Sequence, residues 1–408
     1  MALVRPFRAL RPPPSHAVRV ASPPYDVVNT AEARALAAGN ADSFLHVSRP
    51  EIDLPDGTNP YSAGVYNKAA ESYAWLKTHA QLVTEAYPAL YLYRLRMGKR
   101  EQTGVAGVVS VDEYDKDIIR KHERTRPDKE DDRTRHMLAL SAQTGPVFLT
   151  YRGRAEIEGL LAKVKKQEPL IDFTAKDRVS HTIWRLSEAD SALLSKIFRL
   201  VPTFYIADGH HRAASAARAR AARKAANPSH TGSEDYNFFL AVAFPANQVR
   251  ILAYNRVVKD LNGRSPETFL AELSKRFAVR NPAPKEPTGR RRVSIYLKGR
   301  WYGLTLPSPV GHGALTRLDA DLLQDHVLDP LLGIKDVRTD KRIDFVGGIR
   351  GTEELERLVD EGLAAAAFSM YPVSVAELMA VADAGQIMPP KSTWFEPKLR
   401  DGLLIHLI

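Results

Sequence analysis

One stretch limits the fold of this chain more than any other. Residues 203–207 form a short β-rich run, Asp208-Gly209 breaks it, and an alanine-rich helical segment follows until Asn227-Pro228 stops it near residue 226. A strand must therefore hand over to a helix within two residues. Such handovers belong to layered proteins, in which helices cover a sheet.

The remaining pattern agrees. Apolar spacing predicts helices over 31–38, 61–80, 187–200, 264–277, 319–328 and 352–361. Tyr66, Ala69, Ala70, Tyr73 and Leu76 share one face of the second, and Leu193, Leu194, Ile197 and Phe198 point inward from the third. Strands are expected at 90–97 and 104–111, joined at Gly98-Lys99, and at 147–151, 238–244, 343–346 and 365–368. A second hairpin joins 293–297 to 301–306. Prolines make residues 1–60 loop-rich, and the stretch 281–289 (NPAPKEPTG) reads as a linker. The expected fold class is α/β, in the mixed α+β sense.

Length and composition narrow the function. A chain of 408 residues with 44% hydrophobic content can build two or three cored domains. The absence of cysteine excludes disulfides, thiolate catalysis and sulfur-ligated zinc. No apolar run approaches a membrane span and no signal-peptide pattern is visible, so a cytoplasmic protein is expected. The net charge of +10 favours anionic partners, although the arginines are scattered rather than gathered in a stripe.

Within the turn, Asp208-Gly209-His210-His211-Arg212 suits an anion. A helix N-terminus offers free N–H groups and partial positive charge. Gly209 lets the backbone come close or take positive φ. Arg212 can grip phosphate in a bidentate manner, and His210 and His211 add donors that titrate near neutrality. Asp208 suits three roles: magnesium ligand, helix cap or base. The plain alternative is a capped helix with two surface histidines. Metal ligation by these histidines ranks low, since adjacent histidines point apart and no H-E-x-x-H pattern occurs.

Three further groups qualify. His122-Glu123-Arg124-Thr125, followed by Lys129 to Arg133, mixes carboxylates with cations and suits either phosphate and magnesium or a salt-bridged surface. The rigid Pro23-Pro24 pair either presents Tyr25 and Asp26 to a pocket or merely leads into a strand. Lys391 sits in a loop with Trp394 and Phe395, where it either reaches a phosphate or belongs to a C-terminal plug. There is no G-x-x-x-x-G-K-[ST] and no G-x-S-x-G.

The segments VRPFRALRP, ASPPYDVV, HERTRPDKEDDR, YIADGHHRAASA and MPPKSTWFEPKL together resemble the bacterial family called domain of unknown function 1015. One departure is Asn255-Arg256, where relatives often carry His-Arg. The D-G-H-H-R turn also resembles the phosphate-binding turn of the superfamily of ParB, sulfiredoxin and free L-serine kinases. That resemblance implies a ParB/sulfiredoxin-like core over 101–262, with an α/β segment over 1–100 before it and another over 263–408 after it. It further implies ATP or ADP with magnesium, and phosphoryl transfer to a small hydroxyl acceptor, free L-serine first. In that scheme Gly209, His210, His211, Arg212, His122, Arg133 and Lys391 bind nucleotide phosphates. Glu123 or Asp26 acts as base, with Asp208 as a further acid–base group and magnesium ligand. The alternative is a nucleotide-binding switch or DNA-associated protein. Against nucleic acid, no helix-turn-helix or basic tail is visible.

Overall fold

Alternating tyrosine, leucine and arginine after residue 90 build the centre of the larger of two units. The structure, a computed structural model, describes residues 3–309 and 317–408. The larger unit comprises Met1–Val249 and Pro397–Ile408, and the smaller Arg250–Glu396. The architecture is mixed α/β. No helix among the described residues is long and apolar enough to cross a membrane.

Nine strands form the sheet of the larger unit. They are β1 (Val4–Arg5), β2 (Tyr91–Met97), β3 (Arg100–Ser110), β4 (Ile119–Arg120), β5 (Val147–Tyr151), β6 (Ile171–Thr174), β7 (Val179–Arg185), β8 (Phe204–Asp208) and β9 (Phe238–Pro245). Their order is β4-β8-β5-β9-β3-β2-β7-β6, with β1 paired to β3. Both β5 and β9 are buried along their whole length, which explains why FFLAVAFP reads as a continuous apolar run rather than an alternation.

Three helices matter for the site: α1 (Ala63–His79), α2 (Pro127–Leu140) and α3 (His210–Ala225). Small side chains let α3 pack closely, with Ala213, Ala216 and Ala219 almost fully buried. Ser215 donates to the Glu130 carbonyl at 3.0 Å and joins α3 to α2.

The strand β8 lies between an antiparallel neighbour, β5, and a parallel one, β4. Because β4 and β8 run parallel, both leave the sheet at the same edge, and the segments that follow them start side by side. The β5 register slips between Ile206 and Asp208. Such a bulge bends a strand and re-aims its last side chains.

The expected boundary after residue 100 falls inside the β2–β3 hairpin, where Met97 pairs with Arg100. A shared sheet therefore unites 1–100 with the segment that follows, and the chain returns to this unit at its C-terminal end. The helix Ala155–Val164 and the strands β6 and β7 carried no assignment from sequence. Leu193 faces outward at 48% exposure, whereas Leu194 and Phe198 are buried.

The smaller unit has a six-stranded sheet. Its strands are β10 (Tyr254–Val258), β11 (Val279–Arg280), β12 (Arg292–Leu297), β13 (Arg300–Thr305), β14 (Ile343–Gly347) and β15 (Ala366–Met370), in the order β11-β13-β12-β15-β10-β14. The stretch 281–289 is not a linker between units. It lies between β11 and β12, and Ser294 donates to the Pro284 carbonyl at 2.7 Å. A proline-rich loop packed on its own sheet has the same composition as a linker. Asn255 has a structural use, its Oδ1 accepting from the Met370 N–H at 3.0 Å.

Phe204 is fully buried at the start of β8, against Tyr151 and Phe198. Phe204→Ala should cost about 3–5 kcal/mol in urea unfolding of the larger unit. Leu193→Ala, on the exposed side, should stay within about 0.5 kcal/mol.

Candidate functional site

The strand ends at Asp208, Gly209 takes φ +95°, and α3 begins at His210. Only glycine adopts that backbone cheaply. A side chain there would also strike the molecule, because a Cβ would lie 2.9 Å from Arg212 Nε. Arg212 can therefore fold back beneath the turn. No side chain caps the N-terminus of α3.

Arg212 is 8% exposed. Its NH1 donates to the Pro146 carbonyl at 2.6 Å and its NH2 meets Asp208 Oδ2 at 3.2 Å. Burial opposes the charge, but Asp208, Asp26 and Asp401 keep the guanidinium above its ordinary pKa. Its Nε has no partner among the described residues. Asp208 Oδ2 also meets Lys398 Nζ at 3.4 Å. Burial resists ionisation of Asp208, yet Lys398 and Arg212 outweigh it and hold the carboxyl far below the usual carboxylate range.

The segment after β4 arrives beside this turn. The rings of His122 and His210 pack edge to face with centroids 4.4 Å apart. The His122 N–H points at His210 Nε2 over a long 3.5 Å. Glu123 Oε2 stands 3.9 Å from His210 Nδ1. His211 accepts from the Arg126 N–H at 3.1 Å. Burial drives the His122 pKa down to about 4, which the Ile206 backbone and Asp208 reverse only in part. Burial and His122 also hold the His210 pKa well below its ordinary value, so both rings are neutral near pH 7.

Beneath the turn lies a cavity of about 40 Å³, lined by Tyr25, Arg133, Gly145, Arg212 and Asp401 among others. Arg133 stacks over Tyr25, with Cζ 4.2 Å from the ring centroid, and pairs with Asp132 at 2.8 Å. Asp26 is exposed and acts electrostatically on both Arg212 and Asp401. The structure therefore gathers His122, Glu123, Asp208, Gly209, His210, His211 and Arg212 at one sheet edge, with Arg133 at the cavity beneath and Asp26 acting on Arg212 and Asp401 through its charge. Lys391 instead belongs to the smaller unit, where its ammonium lies 5.6 Å from the Tyr254 ring centroid.

Two residues escaped sequence reasoning: Lys398 and Asp401. Lys398 lies within the MPPKSTWFEPKL segment, where nothing singles it out, and Asp401 falls just beyond it. Asp401 is 3% exposed, its Oδ1 has no partner among the described residues, and Gly145 leaves room for it. Burial, with Asp26, raises its pKa to about 7 against the pull of Arg212, Arg133 and Arg400.

The sign of the pH effect follows. The folded chain holds the Asp401 proton more tightly than the unfolded chain does, so this group stabilises the fold fully below about pH 4. That contribution is lost as pH rises towards about 7. Asp401→Asn should therefore gain stability relative to the parent between those values. Melting temperatures across the range check this, and a constant difference would contradict it.

A model described as "Protein of unknown function (DUF1015)" matches residues 4–322. No curated protein matches the chain. Among solved structures, a conserved hypothetical protein from Pyrococcus furiosus is 14% identical, with a TM-score of 0.36, and covers 74% of this chain and 95% of its own. A free serine kinase in complex with AMP is 13% identical, with a TM-score of 0.36, over 72% of this chain and 91% of its own. SbnI with a C-terminal truncation, from Staphylococcus aureus, is 14% identical, with a TM-score of 0.38, over 74% and 87%. Structural likeness at these values carries no functional weight. The family match covers most of the sequence, and the chain belongs to the DUF1015 family of proteins of unknown function.

Proposed function

We propose that the larger unit is a nucleotide-dependent phosphotransferase acting on a small hydroxyl-bearing metabolite, with free L-serine the first acceptor to test. One observation carries the reading. A strand enters an uncapped helix through a left-handed glycine, and a carboxylate, Glu123, stands beside the first helical residue. In this reading the turn and the 122–133 segment belong to a ParB/sulfiredoxin-like core, as the D-G-H-H-R resemblance implies.

Phosphate oxygens of ATP or ADP rest on the N–H groups at Gly209–His211, where the helix dipole favours negative charge. Arg212 supplies positive charge from below. His210, held neutral by burial, and His211 line the turn as donors, His122 packs behind His210, and Arg133 adds charge at the cavity. Phosphoryl transfer needs mainly positioning and charge neutralisation, and these groups supply both. Glu123 is the first choice for taking the acceptor proton, and Asp26 the second.

Asp208 can take the magnesium role only through Oδ1. Its Oδ2 already lies between Lys398 and Arg212, and an oxygen shared by two cations is a poor ligand for a third. That oxygen orders the two cations. Magnesium that arrives with a nucleotide is held largely by phosphate oxygens and water.

Purified chain incubated with ATP or ADP, magnesium and L-serine should form phosphoserine, read by mass spectrometry. Glu123→Gln should leave nucleotide affinity nearly intact and depress turnover. Arg212→Ala should weaken nucleotide binding by about 1.5–3 kcal/mol, with folding followed by circular dichroism. No nucleotide binding sinks the reading. Binding without turnover on any hydroxyl acceptor leaves a nucleotide-binding switch in its place.

A further inference from the structure

A buried imidazole normally spends at least one ring nitrogen on a hydrogen bond. His122 does not. It is 1% exposed, and neither Nδ1 nor Nε2 has a partner among the described residues. Leaving such a group dry and unpaired is costly, so its position calls for a ligand or a functional reason.

Its surroundings supply one. His122, Glu123 and His210 each offer one ligand atom, and these atoms all lie within 4.8 Å of one another. The set comes from two segments, since His122 and Glu123 follow β4 while His210 opens α3. The parallel pairing of β4 with β8 brings them to the same edge.

We propose that His122, Glu123 and His210 form a three-ligand site for a divalent d-block cation. Ligand atoms held about 2.0–2.2 Å from one tetrahedral ion are about 3.4 Å apart. Glu123 Oε2 and His210 Nδ1, at 3.9 Å, are close to that separation already. Small side-chain rotations close the rest of the set. The long His122 N–H contact to His210 Nε2 fixes the His210 tautomer only weakly. Two imidazoles and one carboxylate select zinc, iron or a neighbouring metal over magnesium, which prefers oxygen. Three protein ligands leave at least one position for water or for an oxygen of a bound molecule.

The site adjoins the phosphate turn but does not rest on the phosphotransferase reading. A Glu123 bound through one oxygen keeps the other available to accept a proton. His122, by contrast, has no base role in that reading, which makes it the discriminating residue.

The full-length chain, stripped with chelator and freed of it, would be titrated with Co²⁺ and with Zn²⁺ in the absence of nucleotide. The expected result is one equivalent bound per chain, with a visible Co²⁺ spectrum that Zn²⁺ abolishes and excess Mg²⁺ does not. His122→Asn and His210→Asn should each weaken binding by at least about tenfold. His79→Ala, at the end of α1, should leave it unchanged. If a histidine variant fails to fold by circular dichroism, Glu123→Gln, whose side chain is partly exposed, should show the same loss. Absence of saturable one-to-one binding overturns the proposal, as does binding unchanged in every folded variant of the three. Nucleotide affinity measured separately in chelator tests the phosphotransferase reading, so either idea can fail alone.

Discussion

A guanidinium buried at the end of the sheet organises the larger unit. Burying a charge costs several kcal/mol unless partners surround it. Arg212 obtains partners from widely separated places: the Pro146 carbonyl before β5, Asp208 at the end of β8, and the electrostatic influence of Asp26 and Asp401. Its charge therefore ties the first strand-poor segment and the C-terminal return to the turn. Gly209 is a condition of that arrangement, because any larger residue would occupy the space of the Arg212 side chain. Residues that read along the sequence as a phosphate motif are thus also a structural keystone. Loss of Arg212 would leave Asp208 facing Lys398 alone.

The local part of this site is legible in the sequence, and the long-range part is not. A β-rich run, a glycine and an alanine-rich segment announce the strand, the turn and the helix, since each depends on neighbours in the chain. The juxtaposition of Asp208 with Lys398 spans 190 residues and depends on the C-terminal segment returning to the first unit. Periodicity holds no record of that return. The same limit hid the domain division: composition marked 281–289 as a linker, whereas the chain packs that stretch against its own sheet. The strand β6 is a short edge strand, and β7, paired on both sides and buried over most of its length, lacks the alternation that marks a strand in sequence.

The charged run over 115–135 shows both readings at work within one segment. Most of it is a solvated face, as with Arg135 and Asp131, one helical turn apart and 2.8 Å from each other. Asp132 and Arg133 instead turn inward. Asp132 accepts from Tyr66 on α1 at 3.0 Å, and Arg133 covers Tyr25 above the cavity. Helical spacing explains the difference. A helix buries one side along its length, so a run of like composition that wraps around α2 divides between solvent and core. The charge pattern alone gave no sign of which residues would turn in. The adjacent-histidine rule treats His210 and His211 as separate groups, and they meet different backbone N–H groups, those of His122 and Arg126. It could not foresee that His122 would arrive from another segment to meet His210.

Charge balance links these features. Around the turn, Arg212, Arg133 and Lys398 face Asp208, Asp26, Glu123 and Asp401. Were all four carboxylates ionised, the edge would carry a net negative charge and would repel phosphate. Burial removes one of them by raising Asp401 to about 7, so near neutral pH a fraction of the molecules present a balanced edge. An anion placed near Arg133 and Arg212 would shield Asp401 from the two cations that lower its pKa. It would also add a like charge nearby, and both effects raise that pKa further. Anion binding and protonation of Asp401 must then favour each other, because a ligand that shifts a pKa is bound more tightly by the protonation state it promotes. A cation held by His122, Glu123 and His210 would act in the same direction on phosphate, by neutralising Glu123 at the mouth of the turn. On the proposed reading, the buried carboxylate and the metal-binding histidine would serve one electrostatic end, an edge whose negative charge is withdrawn where an anion would rest.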